Sequence, residues 1–267
     1  MNYTEYSTIS CTVDEGVGIV TLERTAVHNA FNEDMQLELS DVWRTLRQDP
    51  EVRAVVLTGS GTEAFCVGID RSDIPVTEES YSFDPLTYED PGKLIGPRSQ
   101  GMWKPVIAAV NGMACGGAFY LLGESDIILA ADNATFFDPH VTYSMAAVFE
   151  PALLLSRMPF GDLMRMTLTG ADERISAARA REFGLVSEVF ASEELMPEAV
   201  ALARIVADKA PAAVQASLRS LWAARQMSSQ QFAEVGNVFL NLATSQQALA
   251  EGQTQFRTGT RRPPRIR

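Results

Sequence analysis

Apolar residues occur along the chain in two patterns, one with helical spacing and one made of short continuous runs. The residues from about Glu33 to Gln48 predict a helix, because apolar side chains recur there at intervals of three and four. Short apolar runs predict strands at Gly18–Leu22 and near residues 53–58, 106–110, 126–130 and 185–190. Because strands and helices alternate, the pattern predicts an α/β fold.

The stretch from Lys104 to Asp138 combines a strand, a glycine-rich turn, a short helix and a second strand. Gly116 and Gly117 directly precede the apolar segment Ala118–Leu122. Their N–H groups are therefore expected at a helix N-terminus, where backbone donors and the helix dipole favour negative charge. Such a position suits the oxyanion of an enolate or a thioester. The alternative is that the two glycines only allow the helix to pack tightly, which is the more common reason for such a pair.

The composition narrows the kind of protein. Cys11, Cys66 and Cys115 lack the spacing of disulfides or zinc ligands, and two histidines without a Cys-x-x-Cys motif offer no metal ligand set. The N-terminus lacks a secretory signal pattern, and Asn111 and glycines interrupt the most apolar window, so we expect a cytoplasmic protein without membrane association. A formal net charge of -12 argues against a nucleic-acid partner, because phosphate contacts need clustered Lys and Arg.

Two blocks of sequence carry a specific resemblance. They are LTGSGTEAFCVGID and KPVIAAVNGMACGGAF, which stand in the right order and at the right separation to resemble the crotonase (enoyl-CoA hydratase/isomerase) superfamily. The similarity continues through SDIILAADNATF and LTGADERISAARAREFGLVSEV, so that it covers about residues 10–260.

The resemblance implies a fold, a substrate and an assembly. The fold is a spiral core of ββα turns over residues 1–191, followed by a helical trimerisation region over residues 192–267. The substrate is an acyl-CoA or a related carbonyl compound, with coenzyme A as part of the thioester and no tightly bound cofactor. The expected assembly is a homotrimer or a dimer of trimers, in which the C-terminal helices cover a neighbouring subunit.

The resemblance also assigns backbone roles. The N–H groups of Ile69 and Gly117 correspond to the pair that polarises the thioester carbonyl in the family. Backbone at Ala26 and Val27, with Gly68 and Ile69, corresponds to the surface that binds coenzyme A. His28 is expected to be peripheral.

The chain differs from standard hydratases of the family at the two positions whose side chains bind the reacting water. Tyr120 and His140 stand at the positions of two glutamates that activate water in standard hydratases. With ordinary pKa values of about 10 and about 6.5, Tyr and His cannot jointly replace two carboxylates at neutral pH. The usual hydration mechanism is therefore not expected.

Other acid and base groups remain near the expected pocket. His140 has an ordinary pKa suited to reversible proton transfer, and Asp138 lies two residues before it. Glu150 precedes Pro151, which we expect as the first residue of a helix, and family members without the usual glutamates can draw their base from this place. Each group also has a structural alternative: a satisfied histidine, a carboxylate near a helix cap and, for Tyr120, a pocket wall.

Two further functions stay open at this point. The block SDIILAADNATFFDPH, together with Phe65 and Cys66, also resembles the 6-oxocamphor hydrolase branch, which cleaves a carbon–carbon bond of a cyclic β-diketone. A catalytically silent acyl-CoA-binding protein would likewise keep the oxyanion amides and lack the carboxylates.

The segment from Pro75 to Gly101, rich in proline and acids, predicts an active-site loop with little regular structure.

Overall fold

The computed structural model describes residues 3, 5–72, 90–243, 245–259 and 264–266 of the 267-residue chain. It divides into two compact units, Met1–Asp208 and Lys209–Arg267. We had expected a boundary after residue 191, which is one helix earlier. The helix Ser192–Ala207 packs on the main sheet and therefore belongs with the first unit.

The described residues form ten strands and ten α-helices. In chain order the strands are β1 (Ile9–Asp14), β2 (Val17–Leu22), β3 (Ala54–Gly59), β4 (Ala64–Cys66), β5 (Val106–Val110), β6 (Met113–Cys115), β7 (Ile127–Ala131), β8 (Thr135–Phe137), β9 (Ile175–Ser176) and β10 (Glu188–Phe190). The helices are α1 (Glu33–Gln48), α2 (Gly92–Ile95), α3 (Ala118–Glu124), α4 (Phe149–Leu154), α5 (Phe160–Thr169), α6 (Ala177–Glu182), α7 (Ser192–Ala207), α8 (Pro211–Ala224), α9 (Ser229–Ala243) and α10 (Gln246–Thr258). Three short 3₁₀ turns cover Thr25–Val27, His140–Tyr143 and Gly170–Asp172.

The larger sheet has the strand order β1-β2-β3-β5-β7-β10. The pair β1 and β2 is antiparallel, and the remaining neighbours are parallel. Strands β3 and β5 are buried along their whole length, as expected for parallel strands covered on both faces.

Successive residues of these strands point to opposite faces, and each face has its own apolar core. On one face, Val55 and Leu57 of β3 join the cluster that contains the buried side of α1. On the other face, Ala54 and Val56 join the cluster that contains Leu195 and small residues of α7. Both faces are thus covered, and the edges of the sheet are left for other contacts.

The smaller sheet has the strand order β4-β6-β8-β9. Strands β4, β6 and β8 are parallel, while β9 is antiparallel to β8. Because the carboxyl ends of parallel strands meet at one edge of a sheet, the residues after β4, β6 and β8 are brought together. This edge contains the candidate site.

The second unit consists of α8, α9 and α10, and it exposes large apolar side chains. More than half of each side chain is accessible at Leu221, Val238, Leu240, Leu242, Leu249 and Phe256. Within this unit α8 packs against α9.

The structure corrects two details of the sequence interpretation. Residues 75–89 of the predicted loop lie outside the described residues, and the remainder contains the short helix α2. Pro151 is the third residue of α4 rather than its first, so Glu150 lies inside the first turn. Proline is tolerated there because the first-turn N–H groups have no partner within the helix.

Candidate active site

Three strand ends of the smaller sheet converge on one place. The chain leaves β4 toward Gly68 and Ile69, leaves β6 into Gly116 and Gly117, and leaves β8 toward His140. The candidate residues come from three separate parts of the sequence, and the parallel pairing of the strands brings them together.

Gly68 and Gly117 approach each other closely through their backbones. A Cβ atom on Gly68 would lie 2.8 Å from the Gly117 nitrogen, and Gly68 has φ +88. A Cβ atom on Gly117 would lie 2.6 Å from the ring of Phe31. Only glycine fits both positions, since any side chain would push the two segments apart.

The N–H groups of Ile69 and Gly117 have no acceptor within the described part of the chain. The residues on either side of Ile69 are hydrogen-bonded to Phe31. Phe31 N–H donates to Gly68 O at 2.8 Å, and Asp70 N–H donates to Phe31 O at 2.9 Å. The Ile69 side chain is 37% exposed. Hydrogen bonds on both sides therefore fix the backbone at Ile69, and within the described residues neither donor has a protein acceptor.

Asp70 stabilises the turn that follows Ile69 through an ion pair and hydrogen bonds. Its carboxylate lies 2.8 Å from the Arg24 guanidinium and accepts hydrogen bonds from the N–H and hydroxyl of Ser72. These hydrogen bonds, the one from the Ser72 hydroxyl above all, lower the pKa of Asp70 and keep it charged. Asp70 is thus an anchor for the turn.

His140 lies beside the glycine turn and is held by Asp138. A Cβ atom on Gly116 would lie 3.8 Å from His140 Cε1. The ring Nδ1 lies 2.5 Å from Asp138 Oδ1, which also accepts the His140 N–H at 3.1 Å. Asp138 is fully buried, and its other oxygen has no hydrogen-bond partner in the described residues. The hydrogen bond to this carboxylate raises the pKa of His140 above its ordinary value, outweighing burial, which lowers it.

Glu150 meets the other side of the imidazole. His140 Nε2 lies 3.4 Å from Glu150 Oε1, and the Glu150 side chain is only 9% exposed. Burial raises the pKa of Glu150, and the negative charges of Asp138 and Asp90 raise it further. The arrangement is a chain of three groups, Asp138, His140 and Glu150, in which a proton can be shared between imidazole and carboxyl.

Tyr120 extends from α3 and finds a partner that the sequence did not indicate. Its hydroxyl donates to Asp90 Oδ2 at 2.7 Å, and Gly92 N–H donates to Asp90 Oδ1 at 2.9 Å. A Cβ atom on Gly92 would lie 2.3 Å from the Tyr120 ring. Asp90 is one of several acids in the predicted loop, and no local pattern distinguishes it. The carboxylate that binds the Tyr120 hydroxyl therefore comes from Asp90, 30 residues earlier in the sequence.

The structure places Ala26 and Val27 in the 3₁₀ turn Thr25–Val27, directly after Arg24. Ala26 is exposed, but the Val27 N–H donates to Arg24 O at 3.0 Å and is not available to a ligand. His28 follows, exposed, with its ring 3.5 Å from the exposed Glu63 carboxylate.

The buried thiols beneath the site are not suited to act as nucleophiles. Burial raises the pKa of Cys66 and of Cys115 to about 12, so both remain protonated near neutral pH. Across the residues that the structure describes, no group of three or more His, Cys, Asp or Glu is arranged to hold a metal ion. The described helices include none that is long and apolar enough to cross a membrane.

The sequence profile of the family described as enoyl-CoA hydratase/isomerase matches residues 12–264. The chain belongs to this family. The resemblance to the crotonase superfamily is therefore confirmed, and with it the α/β fold and the assignment to a family of lyases and isomerases.

Two named relatives match most of the chain. The (E)-benzylidenesuccinyl-CoA hydratase of Thauera aromatica is 32% identical over 260 residues, which are 97% of this chain and 98% of the relative. The short-chain-enoyl-CoA hydratase of Clostridium acetobutylicum is 34% identical over 205 residues, 77% of each chain.

Solved structures of the enoyl-CoA hydratase/isomerase family superpose closely on this chain. An enoyl-CoA hydratase/isomerase from Mycobacterium paratuberculosis has a TM-score of 0.84 at 32% identity, covering 95% of this chain and 96% of that one. An enoyl-CoA hydratase from Bacillus anthracis has a TM-score of 0.83 at 25% identity, covering 94% and 96%.

Proposed function

We propose that this enoyl-CoA hydratase/isomerase family member stabilises the enolate of an acyl-CoA thioester through the N–H groups of Ile69 and Gly117. The observation that carries the proposal is that these two donors meet at the ends of parallel strands and have no acceptor in the described chain. Donors fixed in advance at the position of a developing oxyanion lower the barrier, because they need no reorganisation during the reaction. Relatives named for (E)-benzylidenesuccinyl-CoA and for short-chain enoyl-CoA support a CoA thioester as substrate.

His140 and Glu150 are the proposed acid and base. Because Nδ1 of His140 is bound to Asp138, the nitrogen that exchanges a proton is Nε2, which faces Glu150. The pair removes the α-proton of the thioester and returns a proton to the enolate, while negative charge passes to the thioester oxygen. Asp138 stabilises the imidazolium that forms when His140 holds the proton.

Tyr120 and Asp90 form a second polar group in the proposed site. With its hydroxyl proton directed at Asp90, Tyr120 presents an oxygen that can accept a hydrogen bond from water or substrate. By the family resemblance, Tyr120 corresponds to one of the two glutamates of a standard hydratase. We therefore expect slow hydration of crotonyl-CoA, because no two carboxylates share the water.

Coenzyme A is proposed to bind along the backbone at Ala26, Gly68 and Ile69, as part of the substrate and without a tightly bound cofactor. The Arg24–Asp70 ion pair connects the turn at Ala26 with the segment at Ile69. The nucleotide surface and the oxyanion donors are thus fixed to each other.

The first test uses the unmodified protein. Butyryl-CoA has the thioester carbonyl, whereas S-butyl-CoA is a thioether without it. Two backbone hydrogen bonds at about 0.5–1.5 kcal/mol each predict roughly 5- to 100-fold tighter binding of the thioester, measured by calorimetry. Equal affinity for the two compounds would remove the oxyanion donors from the proposal.

A second test separates the Gly117 N–H from the space that Gly117 occupies. Gly117→Pro removes the N–H and adds a Cβ atom that meets Phe31, and Gly117→Ala adds the same Cβ atom but keeps the N–H. If the N–H is the donor, the proline variant loses about 100-fold more α-proton exchange than the alanine variant, since one such donor contributes ~3 kcal/mol. Ile69→Val keeps the amide and should retain activity. Circular dichroism checks that each variant is folded.

The cyclic β-diketone hydrolase remains a second candidate, because a histidine between two carboxylates beside backbone donors also suits carbon–carbon bond hydrolysis. Cleavage of a cyclic β-diketone without coenzyme A, with no exchange at any thioester, would favour it. Tight thioester binding without exchange or hydration would instead favour the catalytically silent binding protein.

A further inference from the structure

Arg71 lies at the edge of the proposed site, two residues after Ile69. Its guanidinium stacks over the Tyr143 ring, 5.3 Å from the centroid, and contacts the Met145 sulfur. Tyr143 closes the 3₁₀ turn that His140 begins. Arg71 therefore connects the segment of one oxyanion donor with the turn that carries the proposed base.

The charge of Arg71 is not neutralised by a carboxylate in the part of the chain that the structure describes. The methionine sulfur is a weak acceptor, and stacking on a ring leaves the edges of the guanidinium available. The acids of the site, Asp90, Asp138 and Glu150, have other partners. Arg71 is thus an always-charged donor that lacks the planar anion it binds best.

Arg71 lies on the side of the proposed site that contains His140. Its positive charge lowers the pKa of His140, in opposition to Asp138 and Glu150, so the guanidinium lies within electrostatic reach of the imidazole. Its contacts with Tyr143 and Met145 place it on the side of the turn that carries His140. A group bound there would belong to the acyl chain.

We propose that Arg71 binds a second carboxylate on the acyl chain, so that the preferred substrates are CoA thioesters of dicarboxylic acids. The inference rests on the proposed function, because it assumes that the thioester carbonyl lies at Ile69 and Gly117. From that point the acyl chain passes His140 and reaches Arg71 with its far end. The planar guanidinium can donate two parallel hydrogen bonds, one to each oxygen of a carboxylate.

The test compares chains that differ only in the terminal group. Glutaryl-CoA and adipyl-CoA carry the second carboxylate, and pentanoyl-CoA and hexanoyl-CoA end in a methyl group. We measure kcat/KM for α-proton exchange in deuterated water. The unmodified protein should prefer the dicarboxylic thioesters, and Arg71→Gln should lower that preference roughly 10- to 100-fold, mainly through KM. Arg71→Lys should retain part of it, because the charge remains.

Arg174→Gln is the matched control. Arg174 is also exposed and stacked on an aromatic ring, 4.5 Å from the centroid of Phe137, but it is not among the charges that act on His140. Its substitution removes the same charge and should leave the preference for dicarboxylic thioesters unchanged.

Three results would overturn the inference. Equal kcat/KM for both kinds of chain in the unmodified protein would do so while leaving the proposed function intact. A KM raised equally for all four thioesters by Arg71→Gln would assign the arginine to a phosphate of coenzyme A instead. Lack of exchange with every thioester would contradict the proposed function and the inference with it.

Discussion

At the scale of single residues, Asp138 decides which nitrogen of His140 takes part in proton transfer. The carboxylate binds Nδ1, leaving Nε2 toward Glu150, and it raises the pKa of His140. A base must be neutral to accept a proton. The rate of α-proton exchange should therefore rise with pH through a midpoint above about 6.5, the ordinary histidine value.

Asp138→Asn is predicted to lower both the rate and this midpoint. The amide keeps the shape but removes the charge that favours imidazolium, so the midpoint moves to lower pH, and poorer general-base catalysis lowers the rate by roughly 10²-fold. Proton NMR of the imidazole signals measures the same titration directly. The chain has only two histidines, and exposed His28 serves as the internal reference. An unchanged His140 midpoint in the variant would contradict the role given to Asp138.

Loss of either His140 or Glu150 should slow α-proton exchange. Glu150→Gln leaves the imidazole bound to Asp138, whereas His140→Ala removes the group at the centre of the chain. We expect His140→Ala to reduce α-proton exchange by about 10²- to 10⁴-fold, and Glu150→Gln to reduce it as well if the carboxylate holds the shared proton. Exchange that survives both changes would exclude this pair, and fast hydration of crotonyl-CoA by the unmodified protein would refute the argument from Tyr120 and His140.

The residues of the candidate site were predictable to different degrees. Ile69 and Gly117 lie within the two sequence blocks that carry the family resemblance, and that resemblance assigned them, since a glycine pair before an apolar segment is by itself a weak signal. Asp90 was not assigned a role, because its contact with Tyr120 joins distant parts of the chain and depends on side-chain direction. Residue type and spacing cannot specify such a pair.

At the scale of elements, Lys104 holds the C-terminal end of α1. Its ammonium is buried and donates to the carbonyl oxygens of Leu46 at 2.7 Å and Asp49 at 2.5 Å. The Leu46 carbonyl lies in the last turn of α1, where carbonyls lack partners within the helix, and the Asp49 carbonyl also accepts the Val52 N–H at 3.2 Å. The contact fastens α1 to the chain just before β5.

Lys104→Met is predicted to lower the free energy of unfolding by about 1.5–3 kcal/mol, because buried carbonyls lose a charged donor. Urea denaturation measures the change. Lys93→Met is the control, since Lys93 is exposed on α2 and the same substitution there should change stability little. Equal changes in the free energy of unfolding at both positions would mean that the buried hydrogen bonds of Lys104 do not stabilise the fold.

Long elements were predicted better than short ones. Helix α1 and strand β5 have the predicted bounds, because many residues repeat the same pattern. Strands β4, β6 and β9 were not predicted, since two or three residues carry no measurable periodicity. The site is nevertheless built at the ends of such short strands.

At the scale of the whole molecule, the apolar side chains exposed on α8, α9 and α10 call for a partner surface. We propose that another copy of the chain covers them, in a trimer or a dimer of trimers. Light scattering should then report a mass of at least three chains of 29.2 kDa. A monodisperse monomer at micromolar concentration would contradict the proposal.

Leu240→Glu is predicted to shift the protein toward smaller species, because it places a charge on a side chain that is 61% exposed in the single chain. Asn237→Asp adds the same charge to an exposed polar position of α9 and should leave the mass unchanged.

The fold class could be predicted from the alternation of strands and helices. The boundary at Asp208 could not, since it depends on which surface α7 covers.

The contact between His140 and the glycine turn also bears on chirality. An enolate is planar and has two faces, and in the proposed site the imidazole lies beside Gly116, on one side of the enolate. A proton would be taken from one face and returned to the same face. Only one of the two prochiral hydrogens at the α-carbon would then exchange, and a branched acyl chain would be accepted in one configuration. The side from which Asp138 and the 3₁₀ turn present the imidazole would in this way determine the handedness of the product.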